Sequence, residues 1–169
     1  MAKHRYLIAL GSNQRHASHG SPRAVVAAAI KALDRGTFTL MTASRVIDSA
    51  PLGPSLRRYA NAAALVRTRH EPPAVLRKLH KIERRFGRRR RGQQWGARVL
   101  DLDIVMWSGG LHEGTSRGQS LTIPHPEFRD RPFVTGPARQ IAGLWRDPLT
   151  NLTIRQLHAR LTKPRAASR

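Results

Sequence analysis

"WGARVLDLDIVMW", residues 95–107, is the stretch from which the fold is read. Residues 99–107 have the apolar, β-branched character of a strand. Side chains at i and i+2 of a strand share a face. Asp101 and Asp103 therefore stand side by side, about 7 Å apart at their Cα atoms for a rise of ~3.3 Å per residue. Leu100, Leu102 and Ile104 point the other way, into a core. The chain holds only 10 acids in 169 residues, so two of them on one apolar strand need a reason. Side by side they repel, and one would normally hold a proton. A hard cation removes the conflict, and Mg²⁺ favours one or two carboxylates completed by water and phosphate oxygens. The plainer alternative is an exposed strand face with two solvated acids.

The neighbouring residues favour the metal. Immediately upstream, "RRRRGQQWGAR" at 88–98 has neither helical nor strand periodicity and reads as a long polar loop. It carries four consecutive arginines, a tryptophan and two glycines. Guanidinium forks match phosphate oxygens, and glycines let a loop move. A carboxylate pair beside a mobile cationic loop suits phosphoryl transfer, where positioning and charge neutralisation do most of the work. The loop is expected to close over the reacting centre. No Walker-type or kinase glycine loop is present, which excludes both of those classes.

Outward from this strand, the remaining pattern is β-α-β-β-α-β. Residues 6–10 alternate as a strand, ended by "GSN" at 11–13. "SPRAVVAAAIKALDRG" predicts a helix with Ser21 as cap, Pro22 in the first turn and Gly36 as stop. "TFTLMTASRVIDSA", 37–50, reads as one long strand, and "PLGPSLRR", 51–58, as a loop. "YANAAALVRT", 59–68, is a further strand. "EPPAVLRKLHKIERRFG" is a second helix with Leu76, Leu79, Ile82 and Phe86 along its apolar stripe. Residues 109–119 read as a turn-rich connection to a short strand, "SLTI". A turn at "PHPEFRDRP" precedes a helix near 133–141. The last helix is "TIRQLHARL", where Thr153 and Gln156 form a capping-box pattern. The basic tail from about 162 is expected to fray. This order predicts an α+β fold, a ferredoxin-like sandwich with helices packed on a mainly antiparallel sheet. One domain is expected over 1–169.

Composition narrows the class. The chain has no cysteine, which excludes a disulfide scaffold, a thiolate metal site and a cysteine nucleophile. No apolar run approaches the ~20 residues of a membrane span. Residues 1–33 contain arginine and no acid until the end of the first helix, as a transit peptide would, but "RYLIALGSN" reads as a strand and turn. Lys plus Arg total 31 against 10 acids, a formal charge of +21 that attracts polyanions without choosing among them.

Together "ALGSN", "SAPLGP" before "YANAA", "IERRFGRRRR", "WGARVLDLDI" and "IPHPEF" resemble the 6-hydroxymethyl-7,8-dihydropterin pyrophosphokinase family in order and spacing, from about Tyr6 to about Leu157. The resemblance implies transfer of diphosphate from ATP to a reduced pterin, releasing AMP; a cytoplasmic monomer is expected. It implies two Mg²⁺ ions on Asp101 and Asp103. It places Arg88, Trp95 and Arg98 in the catalytic loop. Tyr59 and Phe133 would sandwich the pterin, with Asn61, Ser49 and the Leu52 backbone at its edge. His80, Glu83, Arg88, Arg90, Arg98, Ile104, Thr122, His125 and Arg131 would serve ATP. The chain departs from the family pattern at Ala50, His80, Ser120 and Pro126, around the nucleotide rim and the pterin loop. The competing reading is a basic nucleic-acid-binding module. Single-strand binders use several stacking aromatics, and aromatics are only 5% of this chain, which disfavours it.

Overall fold

A computed structural model describes residues 2–50, 57–87, 99–164 and 166. Its centre is a sheet containing β1 (His4–Ser12), β2 (Thr39–Ala43), β3 (Ile47–Ser49), β4 (Tyr59–Thr68) and β5 (Asp101–Trp107). The order is β2-β4-β1-β5, with β3 also on β4, and every pairing is antiparallel. Helices α1 (Pro22–Ala32) and α2 (Pro72–Arg85) complete the β-α-β-β-α-β core that the sequence predicts.

Each helix forms where the sequence provides both an apolar stripe and defined ends. In α1 the Ser21 Oγ accepts from the Ala24 amide at 3.3 Å, and Gly36 takes φ +66° just beyond the helix. Val25, Val26, Ala29 and Leu33 are buried on one side of this segment. In α2, Val75, Leu76, Leu79 and Ile82 do the same. Both stripes meet Tyr6, Ile8 and Leu10 of β1, Ala62 and Ala64 of β4, and Leu102 and Ile104 of β5. Each large aliphatic side chain so buried contributes about 2 kcal/mol.

The opposite face has its own cover. Helices α3 (Pro132–Ala142) and α4 (Ile154–Thr162) pack Val134, Ala138, Ile154 and Leu157 against Leu7, Ala63, Val105 and Met106. A single turn of 3₁₀ helix at Phe128–Asp130 buries Phe128 in the same cluster. The molecule thus has three layers, with the sheet between two helical pairs. At α4 the expected capping box is present. Thr153 Oγ1 accepts from the Gln156 amide at 3.1 Å, and Gln156 Oε1 accepts from the Thr153 amide at 2.9 Å.

Two segments differ from expectation. The predicted strand 37–50 is two strands, separated at 44–46. There the Ser44 hydroxyl accepts from the Ala63 amide at 2.8 Å, standing in for a ladder bond as the strand direction changes. The predicted connection 109–119 contains a strand, β6 (His112–Ser116), which forms a hairpin with β7 (Gln119–Ile123). Its turn residues Arg117 and Gly118 both have positive φ, +49° and +77°, the backbone twist that suits a two-residue hairpin. Leu121 and Ile123 of β7 join the main core.

Beyond β5, the ring of Trp107 stacks on Tyr6, with centroids 5.8 Å apart. A Cβ at Gly109 would fall 2.3, 2.4 and 2.6 Å from three atoms of that indole. Gly109→Ala is expected to displace the ring and destabilise the fold by about 1–3 kcal/mol. Urea unfolding measures this, and an unchanged midpoint would contradict it.

Candidate active site

The face of β5 that carries Asp101 and Asp103 is the α3/α4 face, and the sheet register supplies the neighbours. Asp101 lies opposite Gly11, and Gly11 lies opposite Asn61. Asp103 lies opposite Ala9, and Ala9 opposite Ala63. Two adjacent rows, Asn61–Gly11–Asp101 and Ala63–Ala9–Asp103, form a floor of very small side chains between an amide and two carboxylates. Asp101 is half-buried and Asp103 is exposed. Leu100, Leu102 and Ile104 are buried on the reverse face, as the period of two requires.

At the other end of the floor, Ser49 pairs with Tyr59 on the β3–β4 ladder. The Ser49 hydroxyl donates to Asn61 Oδ1 at 2.5 Å. Asn61 is 95% buried (5% exposed), so its amide is held in one orientation by the strand and by this bond. Tyr59 is half-buried at the mouth, and Phe133 is half-buried in the first turn of α3.

Gly11 is a site residue that motif reasoning passed over. A Cβ there would meet Asn61 Nδ2 at 3.2 Å, with the Tyr59 ring at 4.0 Å. In the sequence Gly11 reads as the end of the first strand; the close approach follows from the continuation of β1 to Ser12 beside Asn61. Gly11→Ala is expected to push the Asn61 amide off its position and to weaken about tenfold the pterin binding that the family resemblance implies, with little loss of stability. Fluorescence titration of a pterin tests this, and unchanged affinity would show that the floor is not the ring's seat.

Beside Asp103 lies a small cavity lined by Ala9, Asp103, Val105, His125, Phe128, Arg131 and Val134. The His125 amide donates to the Val105 carbonyl at 2.9 Å, attaching the 124–128 turn to the outer edge of β5. His125 Nδ1 accepts from the Glu127 amide at 3.1 Å, leaving its proton on Nε2. Burial holds this imidazole below its ordinary pKa. Asp103 and Glu127 pull it back up, and Arg131 adds to the lowering. The ring is therefore neutral at pH 7. Arg131 pairs with Glu127 one helical turn away, and its guanidinium sits 5.8 Å from the centre of the Phe133 ring.

Glu83 is 2% exposed on α2, and its Oε1 accepts from the Leu102 amide at 2.9 Å. It anchors the middle of β5 between the two aspartates. Ile104 buries its side chain in the main core, so only its backbone is available to a nucleotide. His80 is half-buried on α2 and Thr122 half-buried on β7. Leu52, Arg88, Arg90, Trp95 and Arg98 lie outside the described residues, as does the expected closing loop.

A family model described as 7,8-dihydro-6-hydroxymethylpterin-pyrophosphokinase matches residues 7–143, which span every site element described above. The chain belongs to that family. It is 40% identical over 109 residues to a 2-amino-4-hydroxy-6-hydroxymethyldihydropteridine pyrophosphokinase of Synechocystis, covering 64% of this chain and 53% of that one. The chain thus spans about half the length of this relative. It is 38% identical over 137 residues to the Haemophilus influenzae enzyme of the same name, covering 80% of this chain and 79% of that one. Its fold superposes on a crystal structure of Plasmodium falciparum HPPK-DHPS with a TM-score of 0.76 at 11% identity. That match covers 94% of this chain and 44% of the other. Membership of the pyrophosphokinase family supports pyrophosphoryl transfer from ATP to hydroxymethyldihydropterin and does not favour the nucleic-acid alternative.

The donors at the β5 face fit magnesium. Asp101 and Asp103 offer only oxygen, the hard ligand that ion requires. Among the described residues no three His, Cys, Asp or Glu side chains converge on one point. A cation on these two carboxylates would draw its other ligands from water and phosphate, as Mg²⁺ does in nucleotide enzymes.

Proposed function

We propose that this protein transfers the terminal diphosphate of ATP to the hydroxymethyl oxygen of 6-hydroxymethyl-7,8-dihydropterin, releasing AMP, as a step of folate biosynthesis. The observation that carries this reading is the floor Asn61–Gly11–Asp101, which joins a ring-binding end to a carboxylate end on one sheet face. The Ser49–Asn61 pair would read the polar edge of the pterin, and Tyr59 and Phe133 would lie against its ring faces. The small floor residues let a flat ring lie close to the strand backbone, with its hydroxymethyl group directed at the aspartates.

The new bond runs from the pterin oxygen to the β-phosphorus. The bond that breaks joins the β-phosphorus to the oxygen bridging it to the α-phosphate, and AMP departs with that oxygen. The hydroxyl proton leaves to solvent. Mg²⁺ held by Asp101 and Asp103 would neutralise phosphate charge and align the reacting oxygens. Arg131, steadied by Glu127, and the neutral His125 would contact the nucleotide from the α3 side. Arg88, Arg90, Arg98 and Trp95 are assigned to the closing loop on the family resemblance. Glu83 would act through the strand, by holding the Leu102 amide between the two aspartates. The reading takes the chain as a single domain acting as a monomer in the cytoplasm. No helix among the described residues is long and apolar enough to cross a membrane.

The test is direct. The protein is mixed with ATP, MgCl₂ and the reduced hydroxymethylpterin, and products are separated by mass. AMP and a pterin diphosphate in equal amounts are expected. ADP with a pterin monophosphate, or no pterin product, would overturn the assignment.

A further inference from the structure

The end of the sheet opposite the aspartates holds a cluster that the proposed reaction does not use. Arg5 lies six residues before Gly11 on β1, about 20 Å away along the strand. It pairs directly with Arg67 of β4, and Thr39 of β2 flanks Arg67 on its other side. The Arg5 guanidinium lies over the Trp145 ring, 5.5 Å from its centroid, on the side away from the Arg67 cavity. Beside Arg67 there is a cavity of about 430 Å³, lined by Lys3, Thr39, Arg67, Thr68, Arg69 and His70 among others, with no acid in its wall.

Three of these side chains are cations, His70 offers an imidazole, and the threonines offer hydroxyls. The cavity floor is rigid, because Thr68 is 3% exposed and the Tyr6 hydroxyl holds the His70 carbonyl at 2.7 Å. The Nε of Arg67 is buried and has no hydrogen-bond partner among the described residues. Guanidinium groups stay charged at any ordinary pH, and buried donors are almost always paired. The wall itself, with Lys3, Arg67 and Arg69, threonine hydroxyls and no acid, is the complement of an oxyanion.

We propose that this cavity is a second anion site, which takes the phosphate or diphosphate group of a small phosphorylated ligand. Its volume accommodates a compound of nucleotide size. Lys3 and Arg69 supply exposed charge at the rim, and Arg67 supplies the inner contact. The site uses neither Asp101 nor Asp103, so it binds without a divalent cation, and its test is independent of the proposed reaction.

Backbone amide NMR of the whole protein in EDTA, titrated with inorganic pyrophosphate and separately with AMP, tests this. Saturable shifts are expected at Thr68, Arg69 and His70, unchanged in Asp103→Asn. Arg67→Gln should weaken them about tenfold, the usual cost of a charge-assisted hydrogen bond. Tighter binding of AMP than of pyrophosphate identifies a nucleotide as the occupant; equal or weaker binding identifies the phosphate group alone. Should Arg67→Gln fail to fold, the rim variant Lys3→Gln/Arg69→Gln carries the same comparison. Absence of saturable shifts at these amides with either probe, or an identical titration in the variants, overturns the proposal.

Discussion

Turnover is expected to fall at least about a thousandfold in both Asp101→Ala and Asp103→Ala, a loss of roughly 4 kcal/mol of transition-state stabilisation. Pterin affinity should stay within about threefold of wild type, a change of less than 1 kcal/mol. The asymmetry follows from the register. The carboxylates occupy one end of the floor, and Ser49, Asn61 and Tyr59 occupy the other. Removing either acid leaves the Asn61 amide and its bond from Ser49 intact. It takes away half of the oxygen set that a cation would use, while the phosphate charge remains. Both variants should fold, because Asp103 is exposed, Asp101 is only half-buried, and the apolar residues of β5 face the other layer. AMP release at saturating MgCl₂ and pterin fluorescence are the two measurements. Activity above a few per cent in either variant would remove that residue from the metal site.

Arg129→Ala should cost about 3 kcal/mol of stability or more, the usual consequence of stranding a buried charge. Arg129 grips Asp147 with two bonds, Nε to Oδ2 at 2.6 Å and a terminal nitrogen to Oδ1 at 2.7 Å. Asp147 is fully buried and also accepts from the Thr150 hydroxyl at 2.7 Å and the Leu149 amide at 3.1 Å. Burial alone would raise the pKa of this carboxyl. The Arg129, Thr150 and Leu149 bonds outweigh it and hold the pKa below the usual aspartate value. A depressed folded pKa gives stability that is present above the unfolded value of about 3.9 and lost as pH falls through the folded one. Wild type should therefore keep this contribution from pH 7 to about 5 and lose it in more acid solution. In Arg129→Ala burial is no longer opposed by the arginine, so the stability gap to wild type should narrow as acid neutralises Asp147. Urea unfolding across pH 3 to 7 checks this. A gap below about 1 kcal/mol at pH 7 would reduce the pair to a surface-type interaction. The site should suffer too, because Arg129 lies between His125 and Arg131 and its partner lies in the loop leading to α4.

Much of this was legible in the chain. The strand with the aspartates could be read because its acids alternate with apolar residues over 100–104 and acids are rare in this chain. Helices α1 and α4 could be read because caps and apolar stripes coincide, and α2 because its apolar stripe runs between Pro72 and Gly87. The hairpin strand His112–Ser116 could not, because "HEGTS" has no apolar alternation and its turn uses an arginine at positive φ. The break at 44–46 was hidden because it depends on a serine hydroxyl bonding to another strand. Nor did local pattern reveal that the aspartate face is the one covered by α3 and α4. That follows from long-range packing of Phe128 and Val134 on Leu7 and Val105. Within the site, Asn61 was readable as an amide in an apolar strand. Gly11 and the supporting role of Glu83 emerge only when neighbouring strands and helices are in place.

Strand β5 lies at the outer margin of the sheet. An apolar strand in that position offers its backbone to any passing chain and is a common starting point for aggregation. Here the buried Glu83 carboxylate occupies the Leu102 amide, and the His125 amide occupies the Val105 carbonyl. A donor and an acceptor three residues apart are thereby withdrawn, so an incoming strand cannot zip along the margin. Loosening α2 or the 124–128 turn is therefore expected to free this margin, promoting polymerisation as well as inactivation.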